Sequence, residues 1–117
     1  MRTQSLSWFA PMPVIKVFTA DPVSASLAEA MGHDMEQLCL GLLRAHPSAI
    51  QIAFLPAVMA RGAPALLEMH YRAQPFRDAT ALAGFMDGAE RSLQEHLGQV
   101  PRIRCFAVDA VGLSARN

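Results

Sequence analysis

The sequence has little charge of either sign. Its 117 residues include ten basic and ten acidic side chains, so the formal net charge is zero and only 17% of the residues are charged. Nucleic acids and anionic membranes attract concentrated basic surfaces, which this balance does not indicate. We therefore expect neither a nucleic-acid partner nor a membrane partner.

Cysteine and long apolar runs are also scarce. Cys39 falls in a helical pattern and Cys105 in a strand pattern, which does not indicate a disulfide framework. Pro11, Pro13 and Lys16 interrupt the apolar residues near the start, so no signal peptide is predicted. No stretch is long enough to span a bilayer. We expect a soluble, cytoplasmic protein with reduced thiols.

What is present points to one globular domain and a small ligand. A hydrophobic content of 52% is sufficient for a core. The four histidines have no paired helical spacing and no cysteine partner, so we predict no metal site, and no phosphate loop indicates a cofactor. Nine of the ten basic residues are arginines, which bind carboxylates through paired hydrogen bonds. This composition favours a small carboxylic acid as ligand.

The first half of the sequence predicts a strand, a helix and a strand. Val14 to Phe18 is mostly β-branched and aromatic, as in a strand. Asp21 is predicted to cap the helix, with Pro22 in its first turn, and Pro47 ends it. Ala49 to Leu55 is the next predicted strand. The helix has an apolar stripe at steps of three and four: Leu27, Met31, Met35, Leu38 and Leu42.

The second half repeats this order after a proline-containing loop. Leu66 to Arg72 alternates apolar and polar side chains, as in a strand with one buried side. Asp78 is predicted to cap a second helix, and Gly98 to close it. Arg102 to Val108 is the last predicted strand. The apolar stripe of the second helix is Leu82, Met86, Ala89, Leu93 and Leu97.

The two helical stripes align at an offset of about 51 residues, which is a weak internal repeat. In each half a helix bridges two strands, and a right-handed crossover makes each strand pair parallel. We therefore predict an α+β fold of β-α-β-β-α-β order, with a four-stranded mixed sheet and two helices on one face. Because the strands are apolar on both sides, we expect oligomerisation to cover the other face.

The stretch Met12-Pro13-Val14-Ile15-Lys16-Val17 resembles the opening of a tautomerase-superfamily protein, in which the initiator methionine is removed and an amino-terminal proline starts the first strand. The superfamily includes 4-oxalocrotonate tautomerase, 5-carboxymethyl-2-hydroxymuconate isomerase, malonate semialdehyde decarboxylase, cis-3-chloroacrylic acid dehalogenase and macrophage migration inhibitory factor. The order of elements agrees from about Pro13 to Asp109. The resemblance implies a homotrimer and proton transfer on a small unsaturated or keto carboxylic acid, with Pro13 as the catalytic base.

This chemistry needs a free proline amine. A free α-amine titrates near pH 8, and burial beside arginines lowers its pKa towards the range of a general base at neutral pH. A proline inside the chain has an amide nitrogen without useful basicity. Pro13 is internal in this sequence. Either residues 1–12 are a misassigned leader before a domain at 13–117, or the leader is genuine and the protein is not catalytic by this route.

Further site residues follow from the resemblance and from strand position. The decarboxylase and the dehalogenase hold the substrate carboxylate with two arginines after the third strand, and Arg72 and Arg77 occupy similar places at wider spacing. The second-strand arginine of 4-oxalocrotonate tautomerase falls near Gln51. His70 and Arg104 could line a site, although both also fit a solvated strand face. The candidate contacts besides the arginine pair are Tyr71, His70, Gln51 and Arg104.

Two other functions stay open. One is a non-catalytic binding or assembly protein of the same fold with Pro13 internal, in which Trp8 and Phe9 could cap the site or form a subunit contact. The other is a dimeric ferredoxin-like barrel, which has the same element order and binds its ligand between the helices and the sheet. Oligomer size would separate the last possibility from a trimeric tautomerase.

Overall fold

A computed structural model gives the fold and describes residues 12–116. Its elements confirm the predicted β-α-β-β-α-β order, and β4 has the predicted bounds. The predicted leader, apart from Met12, lies outside the described residues. Neither helix of the described part is long and apolar enough to cross a membrane. The elements are β1 (Val14–Thr19), α1 (Ala25–Gly41), a short 3-10 helix (Pro47–Ala49), β2 (Gln51–Pro56), β3 (Ala65–Arg72), α2 (Ala79–Leu97) and β4 (Arg102–Val108).

The four strands form one mixed sheet in the order β2-β1-β3-β4. β1 is parallel to β2, β3 is parallel to β4, and β1 and β3 run antiparallel at the centre. Val14 pairs with Gln51 of β2 and with His70 of β3. The first residues of β1 and β2 therefore lie at the same end as the last residues of β3 and β4, and we call this end the Pro13 end.

Each helix bridges two strands that are direct neighbours in the sheet. In a ferredoxin-like domain another strand separates the two strands of each β-α-β unit. The observed strand order therefore differs from that of the ferredoxin-like alternative. It agrees with the two-half architecture that the sequence predicted.

The core lies between the helices and one face of the sheet. Side chains of a strand alternate between its two faces, and Ile15, Val17, Leu67 and Met69 point to the helices and are fully buried. No helix of the described residues covers the opposite face, which we call the open face. The core side chains from the helical half of the molecule are Met31, Met35, Cys39, Leu43, Phe85, Ala89 and Leu93.

The first helix starts later than predicted. Ser24, not Asp21, is its N-cap, and the Ser24 hydroxyl accepts a hydrogen bond from the Leu27 N–H at 3.3 Å. Asp21 is engaged before the helix, because its backbone carbonyl accepts a hydrogen bond from the Thr19 hydroxyl at 2.6 Å. The N-cap therefore lies three residues after the predicted one, and the prediction of Asp21 was wrong.

The buried side of α1 also differs from the predicted stripe. Leu42 is 38% exposed, and Leu43 is buried in its place. Leu38 and Leu42 face α2: a Cβ on Gly88 would lie 2.6 Å from Leu38 Cδ2, and one on Gly84 would lie 3.1 Å from Leu42 Cδ1. The missing side chains of the two glycines let the helices approach closely at these points.

Other boundaries follow the prediction more closely. β2 starts at Gln51 instead of Ala49, because Pro47–Ala49 form the 3-10 helix. The ends of α2 are as predicted. Asp78 accepts a hydrogen bond from a first-turn N–H at 2.9 Å, and Gly98 closes the helix in the left-handed region with φ of 68°.

Candidate functional site

Pro13 precedes β1, the strand that lies between β2 and β3. Its side chain is fully buried, and its carbonyl oxygen accepts a hydrogen bond from the Gln51 N–H at 3.1 Å. Continuing the register of β1 and β3 by one residue places Pro13 opposite Tyr71. In the described chain the Pro13 nitrogen belongs to the cis Met12–Pro13 peptide bond. A basic nitrogen at this position needs a chain that begins at Pro13.

Arg77 links the end of α1 to the end of β3, the strand whose Tyr71 lies opposite Pro13. Its Nε donates to the Leu43 carbonyl oxygen at 2.7 Å, and its Nη1 donates to the Arg72 carbonyl oxygen at 2.8 Å. The side chain is buried, and this burial lowers the pKa of its guanidinium, which stays charged at neutral pH. The loop after β3 is thereby fixed to the end of α1. The two bonds leave the other terminal nitrogen, Nη2, for a ligand.

A third arginine, which the sequence analysis missed, reaches the same loop. The Cζ atom of Arg44 lies 4.9 Å from the centroid of the Phe76 ring, and that of Arg77 lies 5.5 Å from it. Both distances are within cation–π range. Arg44 is exposed, and no carboxylate of residues 12–116 lies within 4.0 Å of its guanidinium. In the sequence it resembles any basic residue after a helix, which is why no pattern identified it.

Tyr71 supplies a neutral hydrogen-bonding group. It is 7% exposed. Burial raises the pKa of its phenol, nearby Cys105 raises it further, and Arg77 opposes the shift. The phenol is therefore protonated at neutral pH and can donate a hydrogen bond. Burial raises the pKa of the Cys39 thiol to about 12 despite the opposing effect of Arg77. Cys39 is thus a neutral thiol and a poor nucleophile.

The remaining predicted residues divide between the Pro13 end and the open face. Arg72 is the last residue of β3 and is buried. On the open face, the His70 ring stacks on the Phe106 ring with a centroid separation of 4.9 Å. Arg104 pairs in register with Glu68, farther along the sheet, and is exposed. The structure therefore leaves Arg104 apart and places His70 near the Pro13 end but on the open face. It brings the other five predicted residues to the Pro13 end: Pro13, Gln51, Tyr71, Arg72 and Arg77.

This arrangement can bind an anion and donate a hydrogen bond. Three arginines and a protonated phenol lie at the Pro13 end. The site also has a general base if the chain begins at Pro13, because the Pro13 nitrogen is then an amine. Among the described residues, no group of three or more histidine, cysteine, aspartate or glutamate side chains is placed to hold a metal ion. The residues at this end suit proton transfer on a carboxylate-bearing molecule better than hydrolysis by a nucleophile.

Known proteins resemble this chain in structure but not detectably in sequence. No family model matches the sequence, and no curated protein matches it. A macrophage migration inhibitory factor from Toxoplasma gondii is 10% identical with a TM-score of 0.75, over 89% of this chain and 96% of that one. A fused 4-OT symmetric trimer is 12% identical with a TM-score of 0.74, over 89% and 92%. A macrophage migration inhibitory factor-like protein from Entamoeba histolytica is 11% identical with a TM-score of 0.72, over 90% and 96%.

Proposed function

From the tautomerase-superfamily fold of this chain, we propose that the domain beginning at Pro13 catalyses proton transfer on a small unsaturated or keto carboxylic acid. The Pro13 amine takes a proton from the enol oxygen or from one carbon of the substrate and returns it to another carbon. No oxidant, metal ion or cofactor enters this step. The observation that supports the proposal is the position of Pro13 at the sheet end where Tyr71 and three arginines also lie.

Each side chain at this end has a role in the proposal. Arg72 and Arg77 bind the substrate carboxylate, with Arg77 using Nη2, the terminal nitrogen outside its two backbone hydrogen bonds. Arg44, which contacts Phe76 in the same loop as Arg77, adds a third positive charge. Tyr71, which stays protonated because its pKa is raised, donates to the oxygen that becomes negative as the proton leaves carbon.

The surroundings of Pro13 also favour a useful basicity. A buried amine loses hydration of its charged form, and nearby guanidinium groups repel the proton. Both effects lower the pKa of a free Pro13 amine from its ordinary value of about 8. A larger fraction of the amine is then unprotonated at neutral pH, as a general base requires.

The test compares two chains of different length. One is expressed from Met12, so that removal of the initiator exposes Pro13, and the other retains residues 1–11. Intact mass verifies each start, and ketonisation of the enol form of an arylpyruvate is followed by ultraviolet absorbance. We expect activity only in the chain whose mass corresponds to a Pro13 start. Equal rates in the two chains, or no rate above the buffer, would contradict the proposal.

Two variants of the shorter chain refine this test. Pro13→Ala keeps a terminal amine and changes its basicity and geometry, so we expect a large loss of kcat. Arg72→Gln removes a carboxylate contact, so we expect a raised KM. The proposal also includes a homotrimer, the state of the fused 4-OT neighbour. Sedimentation that gives a monomer or a dimer at assay concentration would contradict this part.

One observation favours the second candidate, a non-catalytic binding or assembly protein with Pro13 internal. Met12 is only 6% exposed, so the residue before Pro13 packs into the fold. In this alternative, removal of Met12 uncovers apolar surface and lowers the melting temperature. In the catalytic proposal, the chain that begins at Pro13 stays folded at the assay temperature despite this loss.

A further inference from the structure

A groove separate from the arginines of the Pro13 end lies between α1 and β2, and Glu95 and His96 near the end of α2 also contribute to its lining. Its cavity volume is about 1220 Å³. Ile50, Ile52 and Phe54 contribute apolar side chains to its lining, while the carboxylates that line it are Glu29, Asp34, Glu36 and Glu95. Asp34 is engaged by Ser92 and His96. The other three carboxylates form no ion pair with any of residues 12–116.

β2 borders this groove with a free edge. Within residues 12–116 it pairs with β1 alone, so its outer edge has no neighbouring strand. The N–H groups of Gln51 and Ala57 point to β1, where they donate to carbonyl oxygens. Peptide groups alternate in direction along a strand, so those of Ile52 and Phe54 point outwards. Such an edge is a template for another strand.

We propose that this groove binds the segment Met1 to Pro11 of the same chain as an added strand along β2. The segment contains no acidic residue, and Arg2 and the α-amine are positive. It therefore complements the unpaired carboxylates of the groove. Leu6 and Trp8 are two residues apart, so in a strand they face the same side, as contact with the apolar residues of the groove requires.

The attachment point of this segment suits the groove. It joins Met12, which lies two residues before the start of β1, and β1 is the neighbour of β2. Adjacent strands are about 4.8 Å apart and a strand residue spans about 3.3 Å, so about three residues cross from β1 to the outer edge of β2. The rest of the segment can then run antiparallel to the six residues of β2. The proposal does not rest on catalysis, since it concerns the chain that retains residues 1–11.

Tryptophan fluorescence tests the proposal in the full chain, because Trp8 is its only tryptophan. Gly32 lines the groove, and a Cβ there meets nothing within 4 Å, so Gly32→Leu places a bulky side chain in the lining of the groove. Gly41→Leu is the matched control, because Gly41 is in the same helix, has equally open space and is outside the groove lining. We expect a short-wavelength emission maximum and slow acrylamide quenching in the wild type and in Gly41→Leu. Gly32→Leu should show emission typical of water-exposed tryptophan.

Three outcomes would overturn the proposal. They are water-exposed emission in the wild type, identical emission from the two variants, and a short-wavelength maximum that appears only at high protein concentration. The last would indicate a contact between two copies of the chain.

A synthetic peptide with the sequence of residues 1–11 gives a second test, with the chain that begins at Pro13 as receptor. We expect saturable binding at low ionic strength. Arg2→Glu in the peptide should weaken binding about tenfold, and Glu29→Lys in the receptor should recover part of this loss. Absence of binding, or equal affinity of both peptides, would refute the charge complementarity on which the proposal depends. Loss of enol ketonisation activity with intact peptide binding would refute only the proposed enzyme function.

Discussion

Replacing Arg77 by methionine should lower the free energy of unfolding by about 3 kcal/mol. The side chain makes two buried hydrogen bonds, of 2.7 and 2.8 Å, to the carbonyl oxygens of Leu43 and Arg72. Bonds from a charged donor contribute about 1.5 to 3 kcal/mol each, or roughly 3 to 6 kcal/mol together. Relief of the desolvation of the guanidinium offsets part of this sum, and methionine retains the apolar stem. A net loss of about 3 kcal/mol follows.

Urea unfolding followed by circular dichroism measures this loss, at one protein concentration because an oligomer is stabilised by mass action. Arg44→Met is the matched control. It removes only an exposed contact with Phe76, which contributes about 0.5 to 1 kcal/mol. Arg77→Lys should fall between the wild type and Arg77→Met, because one ammonium group cannot reproduce the guanidinium fork. A loss for Arg77→Met no larger than that for Arg44→Met would refute the reasoning.

Three further predictions concern the helices and the buried thiol. Gly41→Ala should stabilise the protein by up to about 1 kcal/mol in urea unfolding, because alanine favours the helix and its Cβ meets no atom. Gly98→Ala should destabilise it by about 1 kcal/mol in the same assay, because the residue has φ of 68°. Cys39 should resist iodoacetamide until the protein unfolds. Burial raises the pKa of Cys39 from 9.0 to about 12, so the folded state is favoured most while the thiol is neutral in both states, below about pH 9. This contribution to the free energy of unfolding is lost as the pH rises towards 12.

The fold could be predicted from the sequence because its signals are local and consistent. Alternation in β3 and the apolar steps in α2 each specify one element, and Asp78 and Gly98 mark the ends of α2. The prediction was wrong where a tertiary contact decides the outcome. Leu42 has the right spacing for the core, but it lies against Gly84 of the other helix.

The candidate site was less accessible to sequence reasoning. The positions of Arg72 and Arg77 after β3 could be recognised from a resemblance. The acceptors of Arg77 could not, since Leu43 is far away in the chain and presents only a backbone carbonyl. Arg44 was missed for the same reason, because its contact with Phe76 exists only after the two loops meet.

The antiparallel pairing of β1 with β3 gives the two halves of the chain opposite polarity. Pro64 precedes β3 at the same offset from Pro13 that aligns the helical stripes, and it therefore lies at the opposite pole of the sheet. The Pro64 nitrogen is bonded to the carbonyl carbon of Ala63, so in one continuous polypeptide it is an amide and never a free amine. The two halves of the single chain are therefore similar in backbone but not in chemistry, because a free proline amine is possible at the Pro13 end and not at the Pro64 end.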